Sequence, residues 1–141
     1  MTISISVDSA LATLNRLADH PLSNWLASVA VTEKSKAVAR IQDTKKDPEG
    51  NAWAPWRPST EYYRFRKGNT GRGLLWDEGT LLASFVSGST NSTAFVGTPV
   101  EYAEYLQDGT FKMVSREFLG WNKDTLALME LDAAIALARI R

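Results

Sequence analysis

The sequence predicts an α+β domain in which an antiparallel sheet is covered by one long helix and a C-terminal helix. Three observations predict it. Short stretches alternate apolar and polar residues with period two, as half-buried strands do. Longer stretches repeat apolar residues every three to four positions, as amphipathic helices do. Between them lies Asp47-Pro48-Glu49-Gly50-Asn51-Ala52-Trp53-Ala54-Pro55-Trp56-Arg57-Pro58-Ser59-Thr60, with three prolines, a glycine and two tryptophans. Proline and glycine stop the preceding helix, and two large rings are a major source of apolar burial. The segment therefore reads as a rigid, packed turn and not as a linker. With 141 residues, 44% apolar and 23% charged, a single domain over 1–141 with its own core is expected.

Ile3, Ile5 and Val7 alternate with Thr2, Ser4 and Ser6 and predict a first strand. Asp8 or Ser9 is placed to cap a helix running to about Ala18, with Leu11, Leu14 and Leu17 on one side. His20-Pro21 interrupts it, and Pro21 suits the first turn of a second helix reaching Lys46. The stripe of that helix starts at Leu22, Trp25, Leu26 and Val29. It then drifts through Ala30, Ala37, Val38 and Ile41, with polar Glu33–Lys36 between, so beyond Ala30 the helix is either bent or half-buried. Ser59 or Thr60 caps a short helix over Thr60–Lys67, and Gly68–Gly73 reads as a flexible loop. Leu81–Val86 and Thr93–Gly97 read as two strands, joined through Gly88–Ser92 into a hairpin. Tyr102–Gln107 predicts a short helix ending at Gly109, and Asn122–Ile140 predicts the C-terminal helix.

The residues offer little chemistry. There is no cysteine, hence no disulfide, no thiolate nucleophile and no thiolate metal site. His20 is the lone histidine, beside a proline, which argues against a His-rich zinc site or a Cys-His pair. No G-x-S-x-G elbow occurs, and the glycines of Gly68–Gly73 are not followed by the Lys-Ser/Thr of a phosphate-binding loop. Asp77-Glu78 is an adjacent carboxylate pair, and neighbouring side chains in a turn or helix cap are expected to point apart, against a glycosidase-type pair. The expectation is no catalytic residue, no metal and no cofactor, with a small enzyme of unrecognised site as one alternative. No apolar run approaches the ~18 residues of a membrane span. Met1–Val7 carries neither a basic region nor a long apolar stretch, so a soluble chain, intracellular when made and with no membrane partner, is expected.

Net charge is zero but segregated. Lys34–Arg72 holds ten basic and four acidic residues, leaving six basic and twelve acidic elsewhere. Within it, Arg57, Tyr62, Tyr63, Arg64, Phe65 and Arg66 interleave rings with guanidinium groups. That composition suits a protein interface, and it also suits base stacking and phosphate contacts. The favoured reading is an interface in which Arg57, Tyr62, Arg64, Arg66, Lys67 and Arg72 of one copy meet Glu101, Glu104 and Asp108 of another. The alternative is nucleic-acid binding through the basic segment 34–72.

Four blocks carry a resemblance. The first is Arg40-Ile41-Gln42 with Asp47–Pro55 and Pro58-Ser59-Thr60, similar to a "D-P-[DE]-G-x-x-W-x-P…T" turn. The second, Gly73–Ser84, is similar to "L-x-D-T-G-x-L-x-x-S". The third joins Val96-Gly97-Thr98, Tyr102-Ala103 and Gln107-Asp108-Gly109, similar to "V-G-T…Y-A…H-Q-x-G". The fourth is Arg116-Glu117-Phe118-Leu119-Gly120, similar to "R-P-F-L-G". In this order they resemble the virion morphogenesis, or tail-completion, proteins of Mu-like and related tailed phages. Leu106, Glu117 and Glu78 depart from the family's frequent histidine, proline and threonine.

The resemblance implies a structural protein of the virion, acting at the head–tail joint or tail end. It implies a ring of identical copies, a hexamer being one arrangement, with head–tail connector or tail-tube proteins as neighbours. The expected fold-building set is Pro48, Gly50, Trp53, Pro55, Asp77, Gly79, Gly97, Tyr102, Gly109 and Phe118. In it, Trp53, together with Trp56, plugs the end of the sheet, and Asp77 accepts backbone N–H bonds before Gly79.

Overall fold

The computed structural model describes residues 1–6, 22–90 and 93–121, together with 127. The expected helix over Asp8–Ala18, Val7, the His20-Pro21 junction and the C-terminal helix lie outside them, apart from helical Ala127. Within the described residues the fold is α+β. Strand β1 (Thr2–Ser6) is followed by helix α1 (Leu22–Ala39), which runs into a π-helical turn at Arg40–Thr44. Helix α2 (Pro58–Lys67), a 3-10 turn (Thr70–Arg72) and the short helix α3 (Thr80–Ser84) come next. Strands β2 (Val86–Ser89) and β3 (Thr93–Gly97) and helix α4 (Ala103–Asp108) complete them.

The sheet is antiparallel in the order β1-β3-β2. Ile3 pairs with Val96 and Ile5 with Ala94, so the apolar side of β1 lies beside the buried side of β3. Helix α1 packs across β2 and β3. Gly97 pairs with both Thr2 and Val86, and a Cβ there would come within 2.5 Å of the Met1 carbonyl oxygen, so no larger residue fits this crossing.

The buried stripe of α1 is continuous. Leu26, Val29, Ala30, Glu33, Ala37, Arg40 and Ile41 recur at spacings of three and four, and all are buried. The apparent polar gap after Ala30 closes because Glu33 and Arg40 pair with each other inside, 2.9 Å apart. Arg40 also donates to the carbonyl of Phe118 at 3.0 Å. The helix stops at Thr44, before the expected Lys46. Lys45 turns left-handed (φ 53) and its N–H reaches the Arg40 carbonyl. Its ammonium bonds the carbonyls of Ile41, Arg72 and Leu74, a cation set on the negative end of the helix.

Two expectations are corrected. Leu81–Ser84 belongs to helix α3, not to a strand, and the hairpin begins at Val86. Leu81 and Phe85 both enter the core at a spacing of four, and the Ser84 hydroxyl bonds back to the Leu81 carbonyl at 2.6 Å. A short apolar run fits either structure, and here the helical spacing wins. Gly88 and Ser89, expected in the turn, lie in β2, with Gly88 opposite Phe95. Second, α2 begins at Pro58 with no side-chain cap from Ser59 or Thr60, because the proline supplies the first-turn geometry. The short helix before Gly109 forms as expected.

Candidate functional site

The four blocks of the sequence meet in one place. Asp47–Asn51 is a tight loop closed by the Lys46–Ala52 bridge, with the Asp47 carboxylate accepting from both the N–H and the side-chain amide of Asn51. Burial works upward on Asp47, but these bonds and the N–H groups of Glu49 and Gly50 outweigh it and hold its carboxyl below the ordinary value. The loop aims Trp53 into the core with Phe118, Leu81, Phe85 and Val96. Its indole N–H donates to the Glu117 carbonyl at 2.9 Å. Arg116 donates to the carbonyls of Ala54 and Pro55, both at 2.9 Å. Phe118 is fully buried, edge-on to Phe85.

Gln107 joins the third block to the fourth. Its side chain is buried, accepts the N–H groups of Phe118 and Leu119 at 3.0 and 3.1 Å, and donates to the Leu119 carbonyl at 2.6 Å. Gly109 then turns the chain back (φ 75), where a Cβ would stand 2.6 Å from the Ser115 nitrogen. Pro48 is buried, Pro55 is exposed, and Tyr102 is exposed over nearly half its surface at the start of α4.

The second block is held by Asp77, in a manner other than expected. Its carboxylate takes side chains and not backbone N–H groups, since two donors of α2 and one just past its end lie beside it. Arg64 stands 3.4 Å away and Lys67 3.2 Å away, and the Asn69 amide donates to it. Arg72 donates to the Asp77 carbonyl. Arg64 also bonds the Trp76 carbonyl at 2.6 Å and lies over the half-buried Trp56 ring. Burial pushes Asp77 upward, but Lys67, Asn69 and the Arg64 charge hold its carboxyl below the ordinary value. The hydrogen bond to Glu78, followed by that to Asp77, raises Lys67 well above the ordinary lysine value.

An open cleft of about 690 Å³ lies between α2, the Leu74–Leu81 segment, α4 and Lys112–Arg116. Among the ionisable groups that line it, Arg64, Lys67, Asp77 and Glu78 are bonded in one network, and Asp77 and Glu78, expected to point apart, both reach the Lys67 ammonium; Arg57 and Tyr63 line it as well. Arg116 is held by carbonyls.

The predicted interface residues separate into two sets. Arg64 is corrected: it is 7% exposed and turned inward, so it offers no contact surface. Lys67 and Arg72 serve the Asp77 turn. Arg57, Tyr62 and Arg66 are exposed on or beside α2, and Glu101, Glu104 and Asp108 are exposed on or beside α4. The basic segment is thus no continuous cationic face. Of its ten cations, Arg40, Lys45, Arg64, Lys67 and Arg72 are occupied within the chain.

Other residues lie outside the predicted interface set. Phe65, Tyr105 and Phe111 are exposed by 71, 58 and 93%. Glu33, Asn69 and Gln107 are buried polar groups whose partners lie on other turns or segments. Burial pushes the Glu33 carboxyl up, partly offset by Arg40.

The model of the phage virion morphogenesis family matches residues 5–133. The chain is also similar to the Mu-like prophage FluMu G protein 1 of Haemophilus influenzae. The two are 32% identical over 100 residues, which cover 67% of this chain and 68% of the relative. No solved structure matches.

Proposed function

The chain belongs to the phage virion morphogenesis family, and on that premise we propose that it is a structural, non-catalytic protein of the phage particle. It acts in tail completion at the head–tail joint or the tail end, as a ring of identical copies. One observation carries this reading: each of the four blocks sends residues into the core, while the exposed helix faces carry aromatic rings and unpaired charge. Such faces suit assembly, because Tyr, Phe and Arg supply large contact area. Both carboxylates that line the cleft, Asp77 and Glu78, are bonded to Lys67, and Arg116 is held by carbonyls, which leaves no carboxylate there poised as a general base. At least five of the ten cations of Lys34–Arg72 are engaged internally, which weighs against the nucleic-acid alternative. Among the described residues no helix is long and apolar enough to cross a membrane.

The test is electron microscopy of particles from the source phage or prophage with this reading frame deleted. Unjoined heads and tails, or tails of aberrant length, are expected. Normal infectious particles would overturn the proposal.

A further inference from the structure

We infer that the outward faces of α2 and α4 are the two halves of one contact between neighbouring copies of this chain. The inference rests on the ring reading above and names the surfaces that would form it. On α2, Tyr62, Phe65 and Arg66 are spaced by three and four and share one exposed face, with Arg57 at its N-terminal end. On α4, Glu104, Tyr105 and Asp108 do the same, with Glu101 just before the helix. One face is aromatic and basic, apart from Glu61. The other is aromatic and acidic, with Lys112 on the neighbouring turn.

None of Arg57, Arg66, Glu101, Glu104 or Asp108 forms an ion pair among the described residues. A single external partner with an acidic surface would satisfy α2 and leave α4 bare. A second copy of the same chain satisfies both, through charge complementarity built into a molecule of zero net charge.

The placement of the faces sets the symmetry. Both helices border the cleft, and Arg57 lines it at the start of α2, but Tyr62, Phe65 and Arg66 of α2 and Glu101, Glu104, Tyr105 and Asp108 on or beside α4 do not. The charged faces are therefore turned away from the cleft instead of facing each other across it. Joining α2 of one copy to α4 of the next is a head-to-tail contact. Such contacts repeat from copy to copy, and a rotation that closes gives a ring.

The experiment is sedimentation of the full chain over a concentration series, with circular dichroism to verify folding. The wild type is expected to self-associate, more weakly as salt rises. R57E/R66E and E104R/D108R each set like charges face to face, and each is expected to weaken association by about a hundredfold or more. Mixed in equal amounts, the two variants regain association, because each keeps the face that the other needs. Arg66 and Glu104 are exposed and unpaired, so both variants should retain the wild-type spectrum; where a double variant loses it, R66E and E104R alone serve the same comparison. Oligomers that survive both reversals, or variants that fail to rescue each other, would overturn this contact and leave the ring reading standing. A wild type that stays monomeric would overturn both. So would a monomer that binds duplex DNA through Arg57 and Arg66, which would revive the nucleic-acid alternative.

Discussion

Replacing Gln107 tests whether the third and fourth blocks are joined as described. Its amide makes three buried hydrogen bonds, two from the Phe118 and Leu119 N–H groups and one to the Leu119 carbonyl. Gln107→Ala orphans all three backbone groups. Each unsatisfied buried group costs about 1–3 kcal/mol. Water entering the vacated space recovers part of that, so the expected loss is about 3–5 kcal/mol. For a chain of 141 residues, an unfolding entropy of about 2.1 cal/mol/K per residue converts this to a fall in Tm of ~10–17 °C.

Gln107→Glu sharpens the test. The protonated acid reproduces the amide, with one donor and one accepting oxygen. The carboxylate sets a negative charge against the Leu119 carbonyl and has no donor for it. The folded state therefore favours the neutral form, raising the folded pKa above the unfolded value near 4.3. The matching stability is fully present below about pH 4.3 and is lost as pH rises through the raised value. Thermal melts of wild type, Q107A and Q107E from pH 4 to 8 read both effects. The reasoning is refuted if Q107A melts within about 3 °C of wild type, a difference of only ~1 kcal/mol. It is equally refuted if Q107E tracks the wild type at every pH.

Two further outcomes are expected. Trp53→Ala empties a core site and should cost about 3–5 kcal/mol, whereas Trp53→Phe keeps most of the packing and loses the bond to Glu117, costing ~1–2 kcal/mol; equal Tm values for the two variants would deny the ring its buried role. Asp77 is held below its ordinary value of 3.8, so its contribution to stability is present above that pH and lost as pH falls through the lowered folded value. Its side chain is 37% exposed, so solvent screening keeps the contribution below ~1 kcal/mol. Asp77→Asn should flatten the acid limb of the Tm–pH curve and barely change Tm at pH 7, and a loss at pH 7 as large as that of Trp53→Ala would refute this.

The elements legible in the sequence are those fixed by neighbours along the chain. Ile3 and Ile5 announce β1, Gly109 announces the end of α4, and the prolines around Trp53 announce the packed turn. What was hidden depends on partners far away. Glu33 and Arg40 read as surface charges because each alone would be exposed; their spacing of seven, in register with Leu26 and Ala37, is the signal that they share the buried stripe. Arg64 and Arg66 look equivalent in the sequence, yet two positions along a helix turn them to different faces. Only the placement of Asp77 and the Trp76 carbonyl reveals which of them goes inward.

This division explains why the resemblance speaks more clearly about the fold than about assembly. Trp53, Asp77, Gln107 and Phe118 are block residues, and each is engaged with another part of the same chain. Tyr62, Phe65 and Arg66 fall between the first and second blocks, Glu101, Glu104 and Tyr105 fall in the gaps of the third, and Asp108 stands where the third block accepts any residue. Interior positions are bound by packing and by buried hydrogen bonds, where one wrong atom costs a large fraction of the stability. Surface positions carry no such constraint and are free to follow the partner. A chain of this kind can therefore keep the blocks and the fold while changing the exposed faces of α2 and α4. The charge-reversal pairs probe the faces, and Gln107 probes the blocks. The two sets should behave oppositely: loss of association without loss of Tm for the faces, and loss of Tm for the block residue.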